Sequence, residues 1–233
     1  YDTLGRRLDP IRLGGVLGAV ILDRRDDPFV PRTGWFARGE VGYWSKALLS
    51  QADFTRVIGQ AARYRTRGRL TLAGSLRAGW SWPLHGTPSV PISQRFFAGG
   101  PESLRGFQRD MVGPRDAPGG NPLGGESELI VNLEARYRLW RDVSVSAFYD
   151  AGNVWLKASD FLQGKLRRSP GIGVRYATPV GALRVEYGWN VDRLPEEPAA
   201  FARATADVEQ LLLTEPELRG FLDVGSLANA QIT

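Results

Sequence analysis

The residues best suited to directed chemistry are one arginine and a few carboxylates, and what they offer is charge recognition rather than catalysis. Arg105 stands in Leu104-Arg105-Gly106-Phe107. A glycine beside an arginine lets the backbone turn sharply or approach another segment, so the guanidinium can be aimed at one spot. Asp150 stands in Phe148-Tyr149-Asp150-Ala151-Gly152, and Glu134 lies in a segment where charged and apolar residues alternate. The groups that carry catalysis are missing. There is no cysteine, hence no thiolate metal site, and the one histidine, His85, lies in a Pro/Gly-flanked turn. Gly99-Gly100 and Gly119-Gly120 are turn material with no phosphate-binding helix after them. Glu126 and Glu128 share a strand face without an identifiable partner. No enzyme activity, metal or cofactor is expected.

Arg105 belongs to a stretch, Gln94 to Gly125, that is too long and too rich in Gly and Pro to be a turn, and too full of Arg and Phe to be an idle linker. Loops beyond about 15 residues without secondary structure are usually functional or disordered. Strand-like segments on both sides fix where this one starts and ends, so it reads as a folded loop, spanning 83–125 in full.

Those flanking segments must position the loop. Leu13–Leu22 is an apolar, Gly-spaced run. From Trp35 to Trp44, Trp35, Ala37, Val41 and Tyr43 share a face opposite Arg38 and Glu40. Phe54–Tyr64 is a strand candidate with poor alternation. Leu70–Trp82 alternates cleanly, with Leu72, Leu76 and Trp80 against Thr71, Ser75 and Arg77. Leu129, Val131, Leu133, Ala135 and Tyr137 then alternate with Glu128, Asn132, Glu134 and Arg136, Ile130 being the exception. Val143, Val145, Ala147 and Tyr149 alternate with Ser144, Ser146, Phe148 and Asp150. A last hairpin joins Gly171–Tyr176 to Ala182–Trp189. That makes eight strands, most of a length to cross a bilayer when tilted, about 9–11 residues.

Such alternation serves a soluble sandwich, with its apolar face inward, or a membrane barrel, with its apolar face outward. Two features favour the barrel. The polar faces carry several charges of both signs, as a watery lumen allows, and Trp35, Tyr43, Trp44, Trp80, Trp82, Tyr137, Trp140, Trp155 and Trp189 gather towards strand ends like interfacial girdles. No apolar run is long enough for a transmembrane helix. Thirty Lys and Arg against twenty-five Asp and Glu give a net charge of +5, and the basic residues are scattered, which argues against nucleic acid as a partner. The start at Tyr1, without Met or signal peptide, reads as a chain whose N-terminal part was removed or is missing.

Four motifs, in order and with matching spacing, resemble the C-terminal half of the barrel of the Omp85 superfamily, the surface-antigen type that includes BamA-like and TamA-like proteins. They are Asp23-Arg24-Arg25-Asp26-Asp27-Pro28-Phe29; Arg95-Phe96-Phe97-Ala98-Gly99-Gly100 with Leu104-Arg105-Gly106-Phe107 and Gly113-Pro114-Arg115-Asp116; Asn121-Pro122-Leu123-Gly124-Gly125; and Phe148 to Gly152. The resemblance covers about residues 13–192. It implies an all-β, antiparallel transmembrane β-barrel of sixteen strands, about eight of them in this chain, in a bacterial outer membrane. It also implies that the long loop folds into the lumen and that Arg105 at its tip pairs with Asp150. Phe107 is then expected near Phe148 and Gly152, with Gly152 clearing space for the loop and Glu134 acting as a second acceptor.

The same resemblance implies a function in inserting or translocating other polypeptides, with membrane lipids and client outer-membrane or secreted polypeptides as partners and with partner chains able to complete the wall. Other readings are a barrel that anchors or secretes an upstream passenger, such as a patatin-like lipase, or a structural half-barrel subunit. Residues 193–233 depart from the family pattern. Ala199–Leu213 has helical composition, and the chain ends without the terminal aromatic residue, so a helix outside the wall is expected there.

Overall fold

A computed structural model describes residues 11–116, 120–178, 181–193 and 200–206, with the side chains of 177–178, 181–182 and 200–206 left out of account. The strands are β1 (Gly15–Asp23), β2 (Gly34–Trp44), β3 (Phe54–Arg67), β4 (Leu70–Pro83), β5 (Ser127–Arg138), β6 (Val143–Trp155), β7 (Arg167–Thr178), β8 (Gly181–Trp189) and β9 (Ala200–Ala206). Each pairs antiparallel with its sequence neighbours, in the order β1 to β9 of a single sheet. Among the described residues β1 and β9 keep one free edge each, so the sheet is an open wall.

Period-two alternation sets the two faces. On the outer face Leu72 is 54% exposed, Leu133 53%, Ile172 55% and Val185 59%, while on the inner face Arg136 and Ser146 are buried and Asp150 is fully so. An apolar outside against a charged, paired inside is the inverse of a sandwich and suits strands that face lipid. The poorly alternating third segment is a full strand, β3. Its inward set of Phe54, Arg56, Ile58, Ala62 and Tyr64 mixes polar and apolar residues, because Ile58 packs against the luminal cluster described below. The exception in β5 has the same cause. Ile130 turns inward, 1% exposed, into that cluster.

Two expectations are corrected. There are nine strands among the described residues rather than eight. The ninth, Ala200–Ala206, lies where helical composition predicted a helix over Ala199–Leu213. Its backbone pairs with β8 from Leu183↔Ala206 to Trp189↔Ala200, and completing the hydrogen bonds of an exposed edge outweighs intrinsic helix propensity. The remainder of that segment, and the rest of 207–233, lie outside the described residues.

The long connection between β4 and β5 is held as a folded unit. Phe96 and Gly125 exchange backbone hydrogen bonds of 2.8 and 3.0 Å at its base, and Ala98 bridges Val112 further in. Arg95 ties the base to itself through the carbonyls of Val90 (2.8 Å) and Leu123 (3.1 Å). Phe96, Ala98, Leu104, Phe107 and Val112 of the loop share a buried cluster with Ile130 and Val154 of the wall. At the tip, Gly100 N–H donates to the carbonyls of Leu104 and Phe107, and Gly99 N–H to Ser103 Oγ at 2.8 Å. Gly99 has φ +112°, and a Cβ there would run into the Gln108 carbonyl, so glycine is required.

Candidate functional site: a luminal arginine clamp

The loop tip carries Arg105 to the inner face of the wall. Its Nε and its own backbone N–H both donate to Asp150 Oδ2, at 2.9 and 3.0 Å, and Nη2 donates to Asp150 Oδ1 at 2.8 Å. Nη1 reaches Glu134 Oε2 at 2.7 Å and Glu186 Oε1 at 3.3 Å. The guanidinium carbon lies 3.5 Å from the centre of the Phe148 ring, a stacked cation–π contact in a partly desolvated place. One side chain thereby spends its donors on three strands: β6 through Asp150, β5 through Glu134 and β8 through Glu186. Only the planar five-donor fork of arginine can do this.

The wall is built to receive it. Asp150, 0% exposed, also accepts from Asn132 Nδ2 at 2.9 Å, and the same amide donates to the Ser103 carbonyl of the loop. Asn132, Asp150 and Ser169 are register partners across β5, β6 and β7. Ser169 Oγ accepts from Gly106 N–H at 2.6 Å, so this ladder row meets the loop backbone on both sides of Arg105. The next row runs Glu134, Phe148, Gly171, Gly188. The two glycines make a flat floor. A Cβ at Gly171 would strike the Phe148 ring, and one at Gly188 would come within 2.7 Å of Gly106 N and 2.8 Å of its Cα. Phe148 lies over the first glycine and the loop backbone over the second.

The clamp's carboxylates are shared with further arginines. Glu134 Oε1 takes Arg136 at 3.1 Å and Arg175 at 3.2 Å, while Glu186 lies 3.9 Å from Arg175. Pairing each of these carboxylates with a guanidinium limits the desolvation cost of burying it.

Sequence reasoning picked out Arg105, Asp150, Glu134, Leu104, Gly106, Phe107, Phe148 and Gly152. The structure gathers the first three in one ion network, with Phe148 beneath it and Gly106 on the wall. Leu104 and Phe107 are buried in the loop's own cluster. One expected contact is replaced by another. Phe107 joins Ile130 and Val154 rather than Phe148, and its ring carries Arg167 at 4.9 Å. At Gly152 a Cβ would lie 2.5 Å from the Leu129 carbonyl and 3.2 Å from Ile130, a member of the cluster that Phe107 joins. Sequence reasoning did not single out Asn132, Ser169, Arg175, Glu186 or the glycines 171 and 188. Their one signal is that they occupy inward positions of their strands.

An Omp85 superfamily domain model matches residues 15–200. The chain belongs to the Omp85 superfamily. Within it, the chain is 32% identical over 111 residues to the outer membrane protein assembly factor BamA of Nitratidesulfovibrio vulgaris, covering 46% of this chain and 14% of that protein. It is 28% identical over 187 residues to BamA of Neorickettsia risticii, covering 75% and 24%. It is 29% identical over 147 residues to the sorting assembly machinery 50 kDa subunit of Saccharomyces cerevisiae, covering 59% and 28%. The crystal structure of BamA from Haemophilus ducreyi lacking POTRA domains 1–3 superposes with a TM-score of 0.68 at 19% identity, over 81% of this chain and 40% of that one. This Omp85 chain therefore spans between 14% and 28% of the curated relatives named here, and its open wall superposes on part of that BamA structure. Its strands are outer-membrane strands.

Proposed function

We propose that this chain is the wall-and-loop portion of an outer-membrane machine that helps other polypeptides insert into or cross the membrane, and that the Arg105 clamp braces the strand beside the one a client engages. The carrying observation is the position of the loop tip. Arg105 binds Glu186 of β8, and Gly106 lies against Gly188 of the same strand. β8 is the neighbour of β9, whose other edge has no partner among the described residues. A free edge of N–H and C=O groups templates an added strand, and in lipid those groups must find partners. Holding β8 from inside keeps β9 in register, yet leaves its outer edge to a client.

These 233 residues contain no cysteine, and the test is run with any cysteine elsewhere in the protein replaced by serine. In the complete protein, single cysteines at Ala202 or Ala204 of β9 should form disulfides with a cysteine in the terminal strand of a client during assembly. A cysteine at Leu76, in the middle of the wall, should not. Cross-linking equal at all three positions would overturn the reading.

A further inference from the structure

The outer face of β3 carries three arginines in a wall that is otherwise mainly apolar there; the outward arginine of β7, Arg168, differs in pairing with Asp192 at 2.8 Å. Arg63, Arg65 and Arg67 are all exposed, and by period two they lie on the face opposite Ala62, Tyr64 and Thr66. Their ladder neighbours belong to the lipid-facing surface. Arg63 stands between Trp35 and Gly74, Arg65 is level with Leu72, and Arg67 is level with Leu70 and, one strand further, Tyr137. Among the described residues none of the three has a carboxylate or a hydrogen-bond acceptor. The luminal arginines differ, since Arg56, Arg77, Arg105, Arg136 and Arg175 each meet a carboxylate.

Successive positions on one strand face are about 6.6 Å apart, so the column runs about 13 Å along β3 from the β3–β4 hairpin. Arginine on a lipid face is destabilising to a degree that grows with depth. Snorkelling can carry the Arg67 and Arg65 heads to the interface, but Arg63 starts two residues deeper. Such a column is tolerated where the surroundings supply anionic oxygen at that depth. The hairpin ends of the wall fix which leaflet this is. Among the described residues, 68–69 and 139–142 make short turns at this end, whereas 45–53 and 156–166 make long loops at the other, where the β4–β5 connection also lies; the connection 24–33 is the longer link at the short-turn end. Short turns face the periplasm in outer-membrane barrels.

We propose that Arg63, Arg65 and Arg67 form a strip that binds the phosphate headgroup of an anionic phospholipid in the periplasmic leaflet. Guanidinium forks match phosphate oxygens in pairs, and Trp35, Leu72 and Tyr137 give the acyl chains an apolar and interfacial surface beside the charges. The strip lies on the opposite face of the wall from the Arg105 clamp, so its failure would leave the proposed assembly role intact.

The complete protein, reconstituted in nanodiscs of phosphatidylcholine with phosphatidylglycerol, provides the test, with retained lipid counted by native mass spectrometry after release. The wild type should retain phosphatidylglycerol in preference to phosphatidylcholine. R63Q/R65Q/R67Q should lose that preference by roughly a hundredfold, about fivefold per charge, and R63K/R65K/R67K should keep most of it. If the triple glutamine variant does not fold, R65Q alone should show the fivefold loss. Inorganic phosphate should not compete, which separates a lipid site from a free-anion site. A glutamine variant that retains phosphatidylglycerol like the wild type, or a wild type without preference, would overturn the proposal. So would competition by phosphate.

Discussion

Gly106 of the loop and Gly188 of β8 meet backbone to backbone, close enough that a Cβ on Gly188 would lie 2.7 Å from Gly106 N and 3.0 Å from the Arg105 carbonyl carbon. A neighbour that is backbone cannot rotate away, so Gly188→Ala has to displace the loop tip. The expected cost is about 1–3 kcal/mol, in the range of overpacked interiors. Faster hydrogen exchange across 99–108, with the sheet amides unchanged, would mark the displacement. Unchanged exchange at the tip would show that the two glycines do not control it.

Arg105 and Asp150 do not depend on each other equally. Asp150 is fully buried, and in Arg105→Ala it keeps the backbone N–H of residue 105 and the Asn132 amide but loses its cation, which strands its charge. Arg105 without Asp150 keeps Glu134 and Glu186. Arg105→Ala should therefore cost about 3–5 kcal/mol and Asp150→Ala distinctly less. The double variant should be less destabilised than the sum, because both changes remove the same contact. Thermal melts of the folded barrel, read by loss of heat-modifiable migration, give all four corners of that cycle. Additive losses would mean the contact is not coupled.

Phe148 contributes separately from the charges. Phe148→Leu keeps an apolar side chain above Gly171 and removes the ring face from beneath the guanidinium. A loss of about 0.5–2 kcal/mol is expected from the cation–π contact alone. In Arg105→Ala the same replacement should cost less. An equal cost in both backgrounds would assign the effect to packing.

The β1–β2 connection should open in acid. Asp26 Oδ1 accepts from the backbone N–H groups of Thr33 (3.0 Å), Arg32 (2.9 Å) and Asp27 (3.1 Å). These bonds, Thr33's foremost, hold its carboxyl below the ordinary value of 3.8. A folded-state pKa below the unfolded one means that the stabilisation is fully present above about pH 3.8 and disappears as the pH falls through the lower, folded value. Hydrogen exchange of Arg32 and Thr33 should accelerate only below that point. In Asp26→Asn it should be fast at every pH.

Most of the wall was legible in the sequence, because period-two alternation is local chemistry. Each strand reports its own two faces, as Leu133 beside Glu134 or Val145 beside Ser146 does, without reference to any neighbour. The meeting of Arg105 with Asp150 and Glu134 was legible too, but through motif resemblance and not through anything those residues reveal alone. What only the tertiary structure decided is which inward positions share a ladder row. Strand register brings Asn132, Asp150 and Ser169 into line across three strands, and sets Gly171 and Gly188 side by side as a floor for Phe148 and the loop. Ile130 and Gly152 show the same limit. An apolar residue on a polar face marks a contact, and a glycine marks a close approach, but the partner depends on pairing between segments far apart in the chain. The strand at Ala200–Ala206 shows it at the level of backbone. Its composition favours helix, and the free edge of β8 imposes a strand, since unpaired edge groups next to lipid cost more than a weak propensity returns.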